Sequence, residues 1–239
     1  MKLHIAVVLV PMFLVADLNA QNSWVVVPSG TTATLRTIEM STQPHVIAGD
    51  NGTLLTSNDE GLSWTPIASG TTRHLRAQAI GGLSVNYLVG DSGAFIVKGG
   101  ASTVTSYDLP DSLQRLNAIG DHSSVILTVV GDNGFLARNN GVNFTFDPVV
   151  SGTTEDLLSV KTIQGSEGLV AGTSGTLLRT IDDGLTWSPL NSGNLADLRA
   201  IELSNGPPAL VVGTSGTIIR SATNGVGTSW TTIPSPVAT

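Results

Sequence analysis

Apart from one run near the start, the apolar residues of this chain come in short blocks that stop at a glycine. Val46-Ile47-Ala48, Tyr87-Leu88-Val89, Leu169-Val170-Ala171 and Leu210-Val211-Val212 each end this way. A block apolar at successive positions predicts a strand buried on both faces. Behind each glycine comes a tight turn and a further strand: Thr53-Leu54-Leu55, Ala94-Phe95-Ile96, Phe135-Leu136-Ala137, Thr176-Leu177-Leu178 and Thr217-Ile218-Ile219. Ahead of each block stands a strand anchored by Leu35, Leu75, Leu116, Leu157 or Leu198, with a small residue two places on: Thr37, Ala77, Ala118, Ser159 or Ala200. A fourth strand is predicted to start at a tryptophan in the better copies, Trp64, Trp187 and Trp230.

These four strands recur with a fixed period. The turns Gly49-Asp50-Asn51-Gly52, Gly90-Asp91-Ser92-Gly93, Gly131-Asp132-Asn133-Gly134, Gly172-Thr173-Ser174-Gly175 and Gly213-Thr214-Ser215-Gly216 lie 41 residues apart. Their residues tolerate positive φ, which makes them hairpin signals. Four short antiparallel strands copied at this period make a propeller blade. The fold expected is all-β, a β-propeller of about five four-stranded blades, at 35–74, 75–115, 116–156, 157–197 and 198–239. Residues 21–34 carry one fourth-strand sequence too many, since Ser23-Trp24 to Ser29-Gly30 is similar to Ser63-Trp64 to Ser69-Gly70. This strand is expected to take part in ring closure. Either it closes the last blade and displaces the C-terminus, or the reverse, or closure is shared between chains.

Composition narrows the classes. Residues 1–20 read as a secretory signal peptide: Lys2 and His4, an apolar run from Ile5 to Ala16, then Leu18-Asn19-Ala20 before a cut at Gln21. The expected location is therefore periplasmic or secreted, with no membrane insertion after cleavage. The chain has no cysteine and a net charge of −7, which argues against nucleic acid as a partner. Charged residues make up only 12%, and Gly, Thr, Ser and Val dominate, as suits strands and turns.

Two segments are more specific. Ser57-Asn58-Asp59-Glu60-Gly61-Leu62-Ser63-Trp64 and Thr180-Ile181-Asp182-Asp183-Gly184-Leu185-Thr186-Trp187 match the Asp-box, or bacterial neuraminidase repeat. The physical reading of Ser57, Asp59, Gly61, Trp64 and of Thr180, Asp182, Gly184, Trp187 is structural. The carboxylate accepts N–H groups across the turn, glycine permits the backbone, and the ring packs on strands. Among Asp-box propellers, the unit Leu198-Arg199-Ala200-Ile201 … Val211-Val212-Gly213-Thr214-Ser215-Gly216-Thr217-Ile218-Ile219-Arg220-Ser221 … Trp230 resembles the photosystem II stability and assembly factor family. The resemblance implies a non-catalytic scaffold with an arginine-rich binding patch. It also implies seven blades, where this chain has room for about five.

In a four-stranded blade, the connection into the first strand and the second-to-third turn share a face. Arg36, Arg76 and Arg199 are therefore expected near the axis on one face, with Asp50, Asp91 and Asp132 further out. Asn117 and Leu158 take the Arg position in the other two blades. Such guanidiniums bind a carboxylate, phosphate or peptide terminus, or else each pairs with a neighbouring Asp and serves the fold. The leading functional reading is a binding scaffold for a protein or peptide. The alternative is a glycan-binding or sialidase-related propeller, although the two tyrosines, Tyr87 and Tyr107, sit in predicted strands and offer no good nucleophile. Gly90-Asp91-Ser92-Gly93 mimics a serine-protease motif but is in phase with four other turns. The histidines lack zinc-site spacing and no calcium loop is complete, so no cofactor or metal is expected.

Overall fold

Every first strand begins at the leucine that anchors the repeat. The computed structural model describes residues 25–234, less 83–84, 101–102, 110–113, 123–124, 163–165, 205 and 224–228. The signal segment at 1–20 and Trp24 lie outside the described residues. Blade 1 contains β1 (Leu35–Glu39), β2 (His45–Gly49), β3 (Leu54–Ser57) and β4 (Thr65–Pro66). Blade 2 contains β5 (Leu75–Gly81), β6 (Val85–Gly90), β7 (Ala94–Gly99) and β8 (Thr103–Asp108). Blade 3 contains β9 (Leu116–Asp121), β10 (Leu127–Gly131), β11 (Leu136–Asn139) and β12 (Phe146–Pro148). Blade 4 contains β13 (Leu157–Thr162), β14 (Gly168–Gly172), β15 (Leu177–Thr180) and β16 (Ser188–Pro189). Blade 5 contains β17 (Leu198–Ser204), β18 (Gly206–Gly213), β19 (Ile218–Ser221) and β20 (Trp230–Thr232). Each blade is one antiparallel sheet whose strands neighbour one another in chain order. The last blade thus takes its fourth strand from its own C-terminal side.

The second strands are buried along most or all of their length, as their unbroken apolar sequence requires. The turns after them put Asn51, Ser92, Asn133, Ser174 and Ser215 at φ between +53° and +55°. The glycine in front of each turn has a different reason to be there. Its φ is an ordinary extended value, −170° at Gly49. A Cβ at Gly49 would lie 2.1 Å from the Thr34 carbonyl oxygen, and one at Gly90 would lie 1.9 Å from that of His74. Only glycine lets the turn come this close to the segment entering the first strand.

The core is built between blades. Val46, Ala48 and Leu54 of blade 1 pack on Leu75, Leu88 and Ile96 of blade 2. Val130 and Leu136 of blade 3 pack on Leu157, Val160 and Leu178 of blade 4. Leu169, Ala171 and Leu177 of blade 4 pack on Leu198, Ile201 and Val211 of blade 5. Each such leucine, at 0% exposure for Leu75, Leu157 and Leu198, contributes about 2 kcal/mol through its burial. The blade 2–3 interface is aromatic, with Phe144 against Tyr87 and Phe95, and Phe146 edge-on to Phe95.

Among the described residues the ring does not close. β1 packs on β5, β5 on β9, β9 on β13 and β13 on β17, yet among the described residues no comparable packing joins blade 5 to blade 1. Leu35 is 37% exposed and Ile38 56% exposed, where the internal copies of that leucine are at 0%. Among the described residues, the five blades form an arc with two uncovered end faces.

Candidate binding site at the mouth of the propeller

All five first strands carry a β-bulge at the same point. In blade 1 the pairing skips from Leu35 to Thr37, leaving Arg36 unpaired in the ladder. The same skip leaves out Arg76, Asn117, Leu158 and Arg199. A bulge re-aims the extra side chain away from the two faces of the sheet. Here it sends five residues to one place. Arg36, Arg76, Asn117, Leu158 and Arg199 line a single cavity of about 420 Å³ together with Thr34, Leu35 and Arg115.

The carboxylates expected further out on this face are bonded to these arginines. Asp50 accepts from Nε and Nη2 of Arg36, the latter at 2.9 Å. Asp91 does the same for Arg76, with Nη2 at 3.1 Å. The guanidinium of Arg36 holds the Asp50 carboxyl below the usual carboxylate range. Arg199 Nη2 donates to Asp197 at 3.0 Å. The fourth carboxylate, Asp132, accepts from Asn117 Nδ2 at 2.9 Å and faces Arg115 Nη2 at 3.1 Å. The mouth is therefore lined by ion pairs, not a bare cationic patch.

Arg115 and Asp197 were not among the expected site residues. Both stand one place before the anchoring leucine, as do His74 and Asp156. At this position most blades offer an acceptor to the preceding blade's turn. Asn51 N–H donates to His74 Nδ1, Asn133 N–H to Asp156 Oδ1 at 2.9 Å, and Ser174 N–H to Asp197 Oδ1. An arginine cannot accept. Arg115 instead bonds Asn117 Oδ1 and Asp132, and so joins the mouth. The break in the acceptor pattern at 115 was the available sequence signal.

The two Asp-box segments lie at the far ends of the third strands. The Asp59 carboxylate accepts from Ser63 N–H at 2.9 Å, Ser63 Oγ at 2.5 Å and Ser57 Oγ at 2.7 Å. These bonds, chiefly from Ser63, hold its pKa at about 2. Asp182 repeats the set with Thr186 and Thr180. Gly61 and Gly184 take φ of +85° and +79°, and their N–H groups donate to Ser57 and Thr180. Trp187 is 8% exposed and donates to the Gly184 carbonyl, whereas Trp64 is only half-buried. Arg138 donates from Nε to the Asp183 carbonyl at 2.6 Å, tying blade 3 to the box of blade 4. Ser92 is the left-handed residue of its turn, equivalent to Asn51 and Asn133.

No protein-family model matches the chain, and no curated protein matches it. Solved structures do. YCF48 from Cyanidioschyzon merolae aligns at a TM-score of 0.64 and 15% identity, over 83% of this chain and 72% of that one. A YCF48 bound to D1 peptide aligns at 0.68 and 17% identity, over 84% and 68%. With its five four-stranded antiparallel sheets, the chain is an all-β propeller that shares the fold of YCF48.

Proposed function

We propose that this protein is a non-catalytic binding scaffold, exported to the periplasm or beyond, that captures a protein or peptide segment at the mouth. The observation that carries the reading is the convergence of five bulge residues and Arg115 on one cavity. A guanidinium has five N–H donors in one plane. Asp50 and Asp91 each accept from two of them, on one edge. That pairing fixes the plane before a ligand arrives, so less side-chain freedom is lost on binding. The remaining edge suits a carboxylate or a row of peptide carbonyls. The cavity lies in the size range of small-ligand sites, large enough for one end of a peptide. That a YCF48 propeller is known with a D1 peptide bound supports a peptide as the class of ligand. Export rests on residues 1–20, and mass spectrometry of the protein from its native cell should find Gln21 at the N-terminus. Retention of those residues overturns the export reading.

The test is fluorescence anisotropy against a peptide library made with both free and amidated C-termini. Wild-type protein should prefer free carboxylates. Arg36→Ala, Arg76→Ala and Arg199→Ala combined should weaken binding by about 100-fold. Its melting temperature should move by only a few degrees, since half-exposed ion pairs contribute about 0–1 kcal/mol each. A triple variant that binds the same peptides as wild type would remove the mouth from consideration.

A further inference from the structure

The five bulge positions differ in what they offer a ligand. Blades 1, 2 and 5 place the guanidiniums of Arg36, Arg76 and Arg199 there. Blade 3 places Asn117, whose amide is already committed. Its Nδ2 donates to Asp132 Oδ1 at 2.9 Å and to the Leu157 carbonyl at 3.0 Å, which uses both hydrogens. Its Oδ1 accepts from Arg115 Nε at 3.2 Å. Blade 4 places Leu158, a hydrocarbon side chain in a cavity otherwise lined by four arginines.

The fold gives no reason for a leucine at 158. The strand pairing skips from Leu157 to Ser159, so the residue between them takes no part in the ladder. Leu157 is fully buried and packs between blades 3 and 4. Leu158 is only half-buried and belongs to none of the hydrophobic clusters formed by the described residues. Leu35, the other leucine in the cavity lining, is a different case. It is the anchor of its strand, and its copies Leu75, Leu116, Leu157 and Leu198 are all at 0% exposure. Leu158 alone occupies a position that the bulge aims at the mouth. Its uncovered surface gains from any ligand that removes it from water.

We propose that Leu158 sets the specificity of the mouth, which selects peptides whose C-terminal residue is aliphatic. The terminal carboxylate lies on the guanidiniums and the terminal side chain lies on Leu158. This rests on the peptide-capture reading and names the class of peptide. Inorganic phosphate or a sugar acid satisfies the charge and leaves the leucine wet. A peptide ending in glycine does the same. A peptide ending in aspartate brings a second carboxylate against hydrocarbon, where it loses water without a partner. An apolar wall with a few polar groups that fix orientation is the usual make-up of a selective cavity.

The probe is a set of fluorescein-labelled Gly-Ser-Gly-Ser-X peptides, with X as Leu, Val, Gly or Asp, each as free acid and as amide. They are titrated with the full chain by fluorescence anisotropy. Wild type should bind the Leu and Val acids about tenfold tighter than the Gly acid. Leu158→Asn installs the residue that blade 3 carries at this position. It should abolish that difference and leave the preference for acid over amide. Leu158→Met should retain the difference, and Leu158→Arg should move the preference to the Asp acid. A wild type that binds the Gly and Leu acids equally overturns the proposal, and that comparison needs no variant. So does a folded Leu158→Asn that still favours the Leu acid. In both cases a persisting preference for acids over amides leaves capture of peptide C-termini standing. Amides bound as tightly as acids, or no peptide bound, would remove the mouth reading and this inference with it.

Discussion

His122, 1% exposed, sits beneath the turn of the blade 4 box. Its Nε2 lies 3.0 Å from Thr128 Oγ1, and its Nδ1 has no hydrogen-bond partner among the described residues. Burial pushes its pKa down to about 4, against about 6.5 in an unfolded chain. The unfolded state therefore binds the extra proton first as pH falls. Stability is complete above about pH 6.5, declines toward pH 4 and is flat below, the loss being on the order of 3 kcal/mol. The carboxylate of Asp59 behaves oppositely in range: its benefit is lost only as pH falls from 3.8 through about 2. Urea unfolding at pH 7.5 and pH 5 should thus show an acid loss in wild type that is absent in His122→Gln. The tryptophans divide by burial. Trp187→Ala should cost about 3–5 kcal/mol and Trp64→Ala about half as much, read from the same urea curves. The sequence placed both rings alike, because the box motif is the same. What separates them is the neighbouring blade, and that lies in another repeat.

At the level of the element, the turn and the bulge act as one device. A turn glycine closes on the segment before the first strand, and the bulge one residue later throws a side chain into the mouth. Asp50 N–H donates to the Thr34 carbonyl at 2.9 Å, and Asp91, Asp132, Thr173 and Thr214 repeat this bond. The second glycine of the turn meets the loop into the next blade, with a Cβ at Gly52 lying 1.9 Å from the Thr71 carbonyl. Gly52→Ala should cost about 3 kcal/mol or more. Gly152→Ala, at φ +74° but with nothing within 4 Å, should cost only about 1–2 kcal/mol. Equal losses in thermal unfolding would show that backbone angle alone decides. The Gly-x-x-Gly spacing was legible as a turn. The bulge was not, because its signal is a register between strands. Blade 2 shows how a box is lost without losing the element. Lys98 takes the position of Ser57 and Thr180, is fully buried, and donates from Nζ to the Gly100 carbonyl at 2.7 Å. Burial lowers its pKa.

For the whole molecule, the period made the blade count legible but not the shape. Closure depends on the rotation between neighbouring blades, which no single repeat records, so a closed five-bladed ring and an open arc share one sequence pattern. An open array of repeats has weaker ends than middle, since each terminal blade has one neighbour. Hydrogen exchange should be slowest in β10 and fastest in β1 and β19, and a uniform profile would contradict the arc. The same reasoning accounts for the candidate site. Three arginines and three aspartates were readable from their phase. Arg115 and Asp197 stand two residues ahead of the bulge position and became visible only where Arg115 lines the common cavity and Asp197 accepts from Arg199. Because the bulge residues stand outside the ladder, no strand pairing depends on what they are, and Arg, Asn and Leu already occupy them. The five sites form an editable address: a library randomised at 36, 76, 117, 158 and 199 would retarget the mouth while leaving the chassis unchanged.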